Sequence, residues 1–339
     1  MPEKEIKTLG LLSGGLDSTI AVKMMVKLGY DVTVLNFMSP FCNCTKKSDG
    51  CKSAARKVAS ELGLKIKALF MGDEYLQMLR EPKYGVGKGM NPCVDCRIMM
   101  FRQAKEVMEK VGAAFIFTGE VVGQRPMSQV RNRLYQIEKE SGLKGMIVRP
   151  LCAALMEPTI PEKEGLINRA EMLAISGRSR KPQMELGREI GISEENLCSS
   201  GGCLLTDTNF APKVRDLLDY SESPDVKDAR MLRVGRHFRL SDNCKVVVGR
   251  DKMENEKLER LAKEGSTLIR VKEFAGPRVV VIGESANGLS LMAGQIAARY
   301  SDAPNEMSVE VEMQEVGSDK LKTARVRAIN DAELNRLRV

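Results

Sequence analysis

The sequence predicts an α/β protein: a parallel sheet covered by helices, a helical adaptor behind it, and a C-terminal α+β domain. Three observations predict this. A strand, a glycine turn and a helix follow one another at Ile6–Leu12, Ser13-Gly14-Gly15-Leu16-Asp17-Ser18 and Thr19–Leu28. Apolar runs then alternate with helical periods as far as Thr118, which is the pattern of strand-helix-strand units. Beyond the polar run Ser221-Glu222-Ser223-Pro224-Asp225, strand-like segments dominate.

Each element has a local reason. The paired glycines let backbone pass close to a ligand, and helix N-terminal amides carry partial positive charge, so the first turn suits a pyrophosphate. Gly29 stops the helix, and Asp31–Phe37 reads as the second strand. Lys52–Leu62 is predicted as a helix, Lys65–Phe70 as a strand, Arg97–Val111 as a long helix and Ala113–Thr118 as a strand. Ser13 and Thr118-Gly119-Glu120 then fall at carboxyl ends of parallel strands, where such sheets bind ligands. Gly85-Val86-Gly87-Lys88-Gly89 lacks the helix-opening glycine and the Ser/Thr after lysine of dinucleotide and Walker loops, and is expected to be a mobile loop. From Pro150 the pattern shortens to helical pieces at 168–175 and 181–190, broken by Pro158, Pro161 and Pro182. Domains are thus expected at 1–150, 151–222 and 226–339. Strands in the last are expected at 231–240, 245–248, 267–271, 278–282, 308–313 and 324–328.

A chain of 339 residues can bury a core without staples. Its start is charged and the apolar run behind is too short for a signal peptide or a membrane span, so a cytoplasmic location without membrane attachment is expected. A formal charge of +8 favours a polyanionic partner, with RNA the natural candidate. The single histidine, His237, removes Ser-His and Cys-His hydrolases and nearly excludes mixed Cys/His zinc sites.

Nine cysteines in a reducing compartment point to metal, iron-sulfur or sulfur chemistry rather than disulfides. Asn91-Pro92-Cys93-Val94-Asp95-Cys96 puts a CxxC at the start of the long helix, where the dipole favours thiolates and lowers their pKa. Zinc knuckles and redox pairs share that spacing. A third thiol, Cys203, follows Gly201-Gly202, and is chosen over Cys198 because those glycines allow close approach. Three thiolates without a fourth suit a [4Fe-4S] cluster with one open iron better than a closed zinc site. Cys42, Cys44 and Cys51 follow the second strand; a second metal site, with or without Cys152, a sulfur relay and plain packing are all compatible with them.

With SGGLDS, NPCVDC and TGE in this order, roughly the first 220 residues resemble the PP-loop ATP pyrophosphatases, a HUP-type fold. They are most similar to the tRNA thiouridine synthases, that is, the 2-thiouridylases and ThiI-type 4-thiouridine synthetases. The resemblance implies that Ser13, Gly14, Gly15, Asp17 and Ser18 hold the ATP phosphates, that Asn36 and Phe37 face the adenine, and that Thr118 and Gly119 complete the nucleotide site. It also implies a sulfur-bearing set made of Cys93, Cys96 and Cys203, with Asp17 either helping to hold Mg²⁺ or capping the helix. Glu120 departs from the histidine found after Thr-Gly in many relatives. The segment with Val234-Gly235-Arg236-His237-Phe238-Arg239 and Val248-Gly249-Arg250 resembles NFACT-R RNA-binding domains.

In that domain Arg233, Arg236, Arg239 and Arg250 would carry charge, and Phe238 would stack on a base. Strand alternation sets Arg233 and Arg239 on one face and Arg236 on the other unless a bulge at Gly235 resets the register. The expected activity is tRNA thiolation by a tRNA sulfurtransferase: ATP adenylates a uracil carbonyl oxygen, and sulfur then replaces it. tRNA and a sulfur donor are the expected partners, with a homodimer left open. Another PP-loop ligase or amidating enzyme, and an RNA-binding protein with a degenerate ATP site, are the alternatives.

Overall fold

The computed structural model describes residues 6–43, 51–193, 202–284 and 288–339, with backbone alone at 51–53. It divides into two compact units, Met1–Asp207 and Thr208–Val339. The division falls earlier than the polar run at 221–225. Helix Ala211–Tyr220 goes with the second unit because its Asp216 accepts from Arg239 at 2.8 and 2.9 Å and from Lys245 at 2.6 Å. Of the segment expected as an adaptor, Ala153, Ile167 and Met172 join the core beneath the first sheet.

The first unit is built on a five-stranded parallel sheet with strand order 3-2-1-4-5. Its strands are β1 (Lys7–Leu11), β2 (Asp31–Met38), β3 (Lys65–Phe70), β4 (Phe115–Thr118) and β5 (Ile147–Val148). Side chains alternate across it as the period of 2 requires. Leu9, Leu11, Leu35 and Ile116 meet Ile98 and Phe101 of helix α4 (Cys93–Val111) on one face. Val32, Val34, Phe115 and Phe117 meet Ala21, Val22 and Met25 of helix α1 (Leu16–Lys27) on the other. Each such side chain, fully buried, contributes about 1.5–3 kcal/mol. The chain reverses direction across the sheet between β1 and β4, so the crevice lies at their carboxyl ends.

Two predicted elements differ. The helix expected at 168–175 is only a 3-10 turn, Arg169–Glu171, because the following amides Leu173 and Ile175 donate to the carbonyls of Pro150 and Leu151 at 2.8 and 2.9 Å. The strand expected from 231 starts at Arg236. Ahead of it Asp225 and Asp228 form a reciprocal capping box that makes Val226–Met231 helical.

The second unit carries a six-stranded antiparallel sheet, in the order β11-β10-β8-β9-β7-β6. The strands are β6 (Arg236–Ser241), β7 (Cys244–Val248), β8 (Thr267–Val271), β9 (Val279–Gly283), β10 (Val309–Glu315) and β11 (Leu321–Val326). Helix Leu289–Arg299 lays Ala293, Ile296 and Ala297 on one face of it. Among the described residues no helix is long and apolar enough to cross a membrane.

One buried ionic network braces the first unit. Arg149, 2% exposed, donates to Glu120 at 3.2 Å and to Glu138, both nearly as buried. Burial works against its charge, but Glu120 and Glu138 outweigh it and raise its pKa. Arg149→Met leaves two buried carboxylates short of a partner and is expected to cost about 3–5 kcal/mol. Calorimetric melting checks this; a loss below about 1 kcal/mol would show that Glu120 and Glu138 find other partners.

Candidate functional site

The glycine turn is held from several sides. Gly14 sits at φ 79, and a Cβ there would lie 2.6 Å from that of Ala54 and 2.8 Å from the Ala55 amide nitrogen, so only glycine fits against helix α2 (Cys51–Glu61). A Cβ on Gly119 would stand 2.4 Å from backbone atoms of Asp17 and Ser18. Within the loop the Ser18 hydroxyl donates to the Gly15 carbonyl at 2.9 Å and lies 3.1 Å from the Ser13 hydroxyl. Helix α1 has Gly15 at its N-cap and no side-chain cap, which leaves its first amides without a side-chain acceptor. Asp17 is therefore not the cap. Its Oδ2 accepts from Gln124 at 3.0 Å and stands 3.7 Å from Arg180, while Oδ1 is buried without a hydrogen-bond partner among the described residues.

A cavity of about 320 Å³ opens over this turn, lined by Ser13, Gly15, Asp17, Ser18, Phe37, Thr118 and Gly119. Asn36 is not among its walls. It is fully buried and donates to the Leu12 carbonyl at 2.8 Å, fixing the chain that enters the turn. Four arginines, Arg97, Arg125, Arg178 and Arg180, also line the cavity, against the acids Asp17 and Glu120. Glu120 is itself committed, receiving Arg149 and standing 3.4 Å from Arg97. Burial, and then the neighbouring Arg97, lower the pKa of the Arg125 guanidinium. Cations crowded in this way form a site for an anion with several charged oxygens. None of the four had a sequence signal: they come from three segments that only the fold brings together.

No cysteine lines this cavity; the thiols are related to it through helix α4. Cys93 opens α4 and donates to Asn91 Oδ1 at 2.8 Å, and Cys96 lies one turn on, with its thiol 3.9 Å from the Met100 sulfur. Arg97 and Met100, neighbours of Cys96 on α4, both line the cavity. The expected lowering of thiol pKa by the helix dipole does not hold for Cys96. Burial pushes it up to about 11 despite Arg97, and burial pushes Cys203 up to about 12. The segment 85–89 is a tether rather than a free loop: the Met90 amide donates to the Leu205 carbonyl at 2.8 Å, and a Cβ on Gly89 would lie 2.5 Å from that oxygen. The tether ties the region before Cys93 to the strand-like segment of Cys203.

Cys42 lies beside Cys203. It pairs with Cys203 in an antiparallel bridge flanked by Leu204 N to Phe41 O at 2.8 Å and Asn43 N to Gly202 O at 3.1 Å. Cys42, Cys93, Cys96 and Cys203 are close enough for charge on one to affect the others. Tyr75, 1% exposed, faces three of them, and burial and these thiols hold its phenol well above its ordinary pKa. Cys44 and Cys198 lie outside the described residues, and only the backbone of Cys51 is described. Cys152 stands apart in a small core with Leu134 and Met156. Among the described residues no three His, Cys, Asp or Glu side chains are arranged to hold one metal ion. An iron-sulfur cube takes its thiolates on separate irons, further apart than the ligands of a single ion. Cys96 and Cys203, whose pKa values are raised by burial, would release their protons on taking up a metal.

The arginines of the second unit separate. Arg233 is exposed in a turn outside the sheet, and Arg239 and Arg250 are neutralised by Asp216 and Glu254. Phe238 is fully buried in the core and cannot stack on a base. Arg236 stands 4.5 Å from the Tyr300 ring centroid, on the face opposite Arg239. The irregularity in β6 falls between Arg239 and Ser241, not at Gly235.

His237 is 1% exposed, and its Nε2 lies 2.9 Å from the Val234 carbonyl oxygen, leaving Nδ1 without a partner among the described residues. Burial, then Lys245 and Lys213, hold its pKa well below the ordinary value. The folded state therefore binds fewer protons than the unfolded state below about pH 6.5. Stability attributable to it is complete above that pH and falls by about 1.4 kcal/mol per pH unit as pH drops towards 5. His237→Gln should flatten this slope in denaturant titrations at pH 5 to 7; an unchanged slope would assign the loss to carboxylates.

A glycine turn at the β1/β4 crevice of a 3-2-1-4-5 parallel sheet, beneath a cationic cavity, defines a protein of the PP-loop class. The chain belongs to the ThiI family: the model described as thiamine biosynthesis protein (ThiI) matches residues 4–183. Residues 235–338 match the NFACT protein RNA binding domain. The chain is 32% identical over 136 residues to a "Probable tRNA sulfurtransferase" of Methanosarcina acetivorans, covering 38% of this chain and 31% of that protein. It is 32% identical over 127 residues to the "tRNA-specific 2-thiouridylase MnmA" of Syntrophotalea carbinolica, covering 35% and 36%. It thus spans about a third of the length of these curated relatives. A solved "4-thiouridine synthetase - RNA complex with bound ATP" aligns with TM-score 0.40 and 23% identity over 67% of this chain and 52% of that one.

Proposed function

We propose that the chain is an ATP-dependent tRNA sulfurtransferase that replaces a uracil carbonyl oxygen by sulfur. The carbonyl oxygen attacks the α-phosphate of ATP, and pyrophosphate leaves into the turn Ser13–Ser18, held by its amides and by Arg125, Arg178 and Arg180. Hydrosulfide attacks the activated carbon, loses its proton, and AMP departs with the oxygen; where the outer sulfur of a carrier persulfide attacks instead, a second cysteine thiol must then cleave the S–S bond, leaving a mixed disulfide with the carrier. Asp17, with Oδ1 unpaired among the described residues, is the residue for Mg²⁺ beside the phosphates. Cys93, Cys96 and Cys203, with Cys42 beside them, would hold a [4Fe-4S] cluster, which would supply sulfide-level sulfur to this step. The second unit would hold the tRNA.

The observation that carries this reading is that Arg97 and Met100 serve both places: they line the nucleotide cavity and flank the thiol of Cys96. A PP-loop ligase forming an amide has no use for thiols there. Anaerobically purified protein, given ATP, sulfide and tRNA lacking thionucleosides, should release pyrophosphate and form a thiouridine detectable by nucleoside mass analysis. Pyrophosphate release with no thionucleoside under these conditions would sink the proposal.

A further inference from the structure

The second unit has a cationic spot with a distinctive make-up. Arg239, Arg250, Arg270, Arg278 and Arg299 each pair with a carboxylate: Asp216, Glu254, Glu312, Glu259 and Asp331. Arg236 and Arg338 have no carboxylate within ion-pair distance among the described residues, as is also true of Arg260, Arg325, Arg327 and Arg336; these two are set apart because both turn to one ring. The Arg236 guanidinium lies 4.5 Å from the Tyr300 ring centroid, and Arg338 donates to the Tyr300 hydroxyl at 3.0 Å. Backbone pairing fixes the arrangement. Arg338 is bridged to Phe238 of the edge strand β6, and the Val339 amide donates to the His237 carbonyl at 3.0 Å. Beneath them Phe238 packs 6.2 Å from Tyr300, so the ring rests on the core and keeps its position.

Two like charges converging on one side chain repel each other, and an external anion between them removes that cost. Guanidiniums present paired N–H donors that match phosphate oxygens, and a guanidinium stacked on an aromatic ring offers its outer plane to a base. We infer that Arg236, Tyr300 and Arg338 form an RNA contact, with the arginines on backbone phosphate and the Arg236–Tyr300 stack beneath an unpaired base. The inference rests on the tRNA reading above and names the face that would touch it. No base-edge reader lies in the triad, so the contact is independent of sequence and depends on salt.

The test measures tRNA binding by the full chain across a salt series. The double variant Arg236→Gln, Arg338→Gln should weaken binding about tenfold or more at low salt and lower the salt slope by about 1 to 2. Arg270→Gln, which removes an arginine already neutralised by Glu312, should leave the slope unchanged. Equal losses in both variants would mean that only total charge matters, and would overturn the assignment. Ultraviolet cross-linking of the unaltered protein to tRNA needs no variant to fold, and should label the peptide containing Tyr300. Labelling confined to other peptides would overturn it too. If the unaltered chain binds no tRNA, the thiolation reading fails with it; if it binds and the double variant binds equally well, only this face is wrong.

Discussion

Cys203→Ser is expected to abolish thiouridine formation while leaving ATP-dependent pyrophosphate release close to that of the unaltered protein. The two chemistries use different groups in adjoining places. In the proposed reaction the phosphates would face the amides of Ser13–Ser18 and the arginines of the cavity, whose lining does not include Cys203. Sulfur delivery, as proposed, would depend on a thiol group in which Cys203 is set opposite Cys42 and tied to the region before α4 through Leu205 and Met90. Groups that act as a unit lose most of their effect when one is removed, so the fall should be on the order of 10³-fold or more. Iron bound after anaerobic reconstitution should fall in parallel, which separates loss of the cluster from loss of a persulfide carrier. Wild-type thiolation by the Cys203→Ser protein would remove Cys203 from the mechanism.

Gly119→Ala is expected to damage nucleotide binding through the backbone alone. The new Cβ would stand 2.4 Å from the carbonyl carbon and oxygen of Asp17 and from the Ser18 amide nitrogen. No side-chain rotation relieves contacts with main-chain atoms, so the start of α1 has to move. That shifts both the amides that would face pyrophosphate and the Asp17 carboxylate, which Gln124 holds at 3.0 Å. ATP affinity should fall by tenfold or more, with a stability cost of about 1–3 kcal/mol from overpacking. Calorimetric titration with a non-hydrolysable ATP analogue and thermal melting measure the two effects. Unchanged affinity would mean that the turn does not carry the phosphates.

The first unit was legible because its signals are local. Strand, glycine turn and helix are consecutive at 7–27, and Cys93 and Cys96 are one helical turn apart, so short-range periodicity places them. Legibility failed where partners are distant. Phe238 reads as an exposed aromatic in a basic strand; alternation gives it a face, but only helix Leu289–Arg299 makes that face the core. Arg239 reads as free charge until Asp216, 23 residues away, is brought to 2.8 Å. The thiol pKa values went the same way: helix position argues for depression, and the degree of burial, which no local pattern reports, reverses it.

The sequence by itself determined the phosphate-type turn, the sheet that carries it and the placing of Cys93 and Cys96 one turn apart at the start of a helix, because each depends on backbone geometry and spacing within a few residues. Only the tertiary structure decided that Cys42 lies beside Cys203, that four arginines converge on the cavity, and that Tyr300 rather than Phe238 is the ring beside Arg236. Those groupings come from elements far apart in the chain. Their proximity is set by how the sheets are crossed and covered, and no residue's local sequence encodes it.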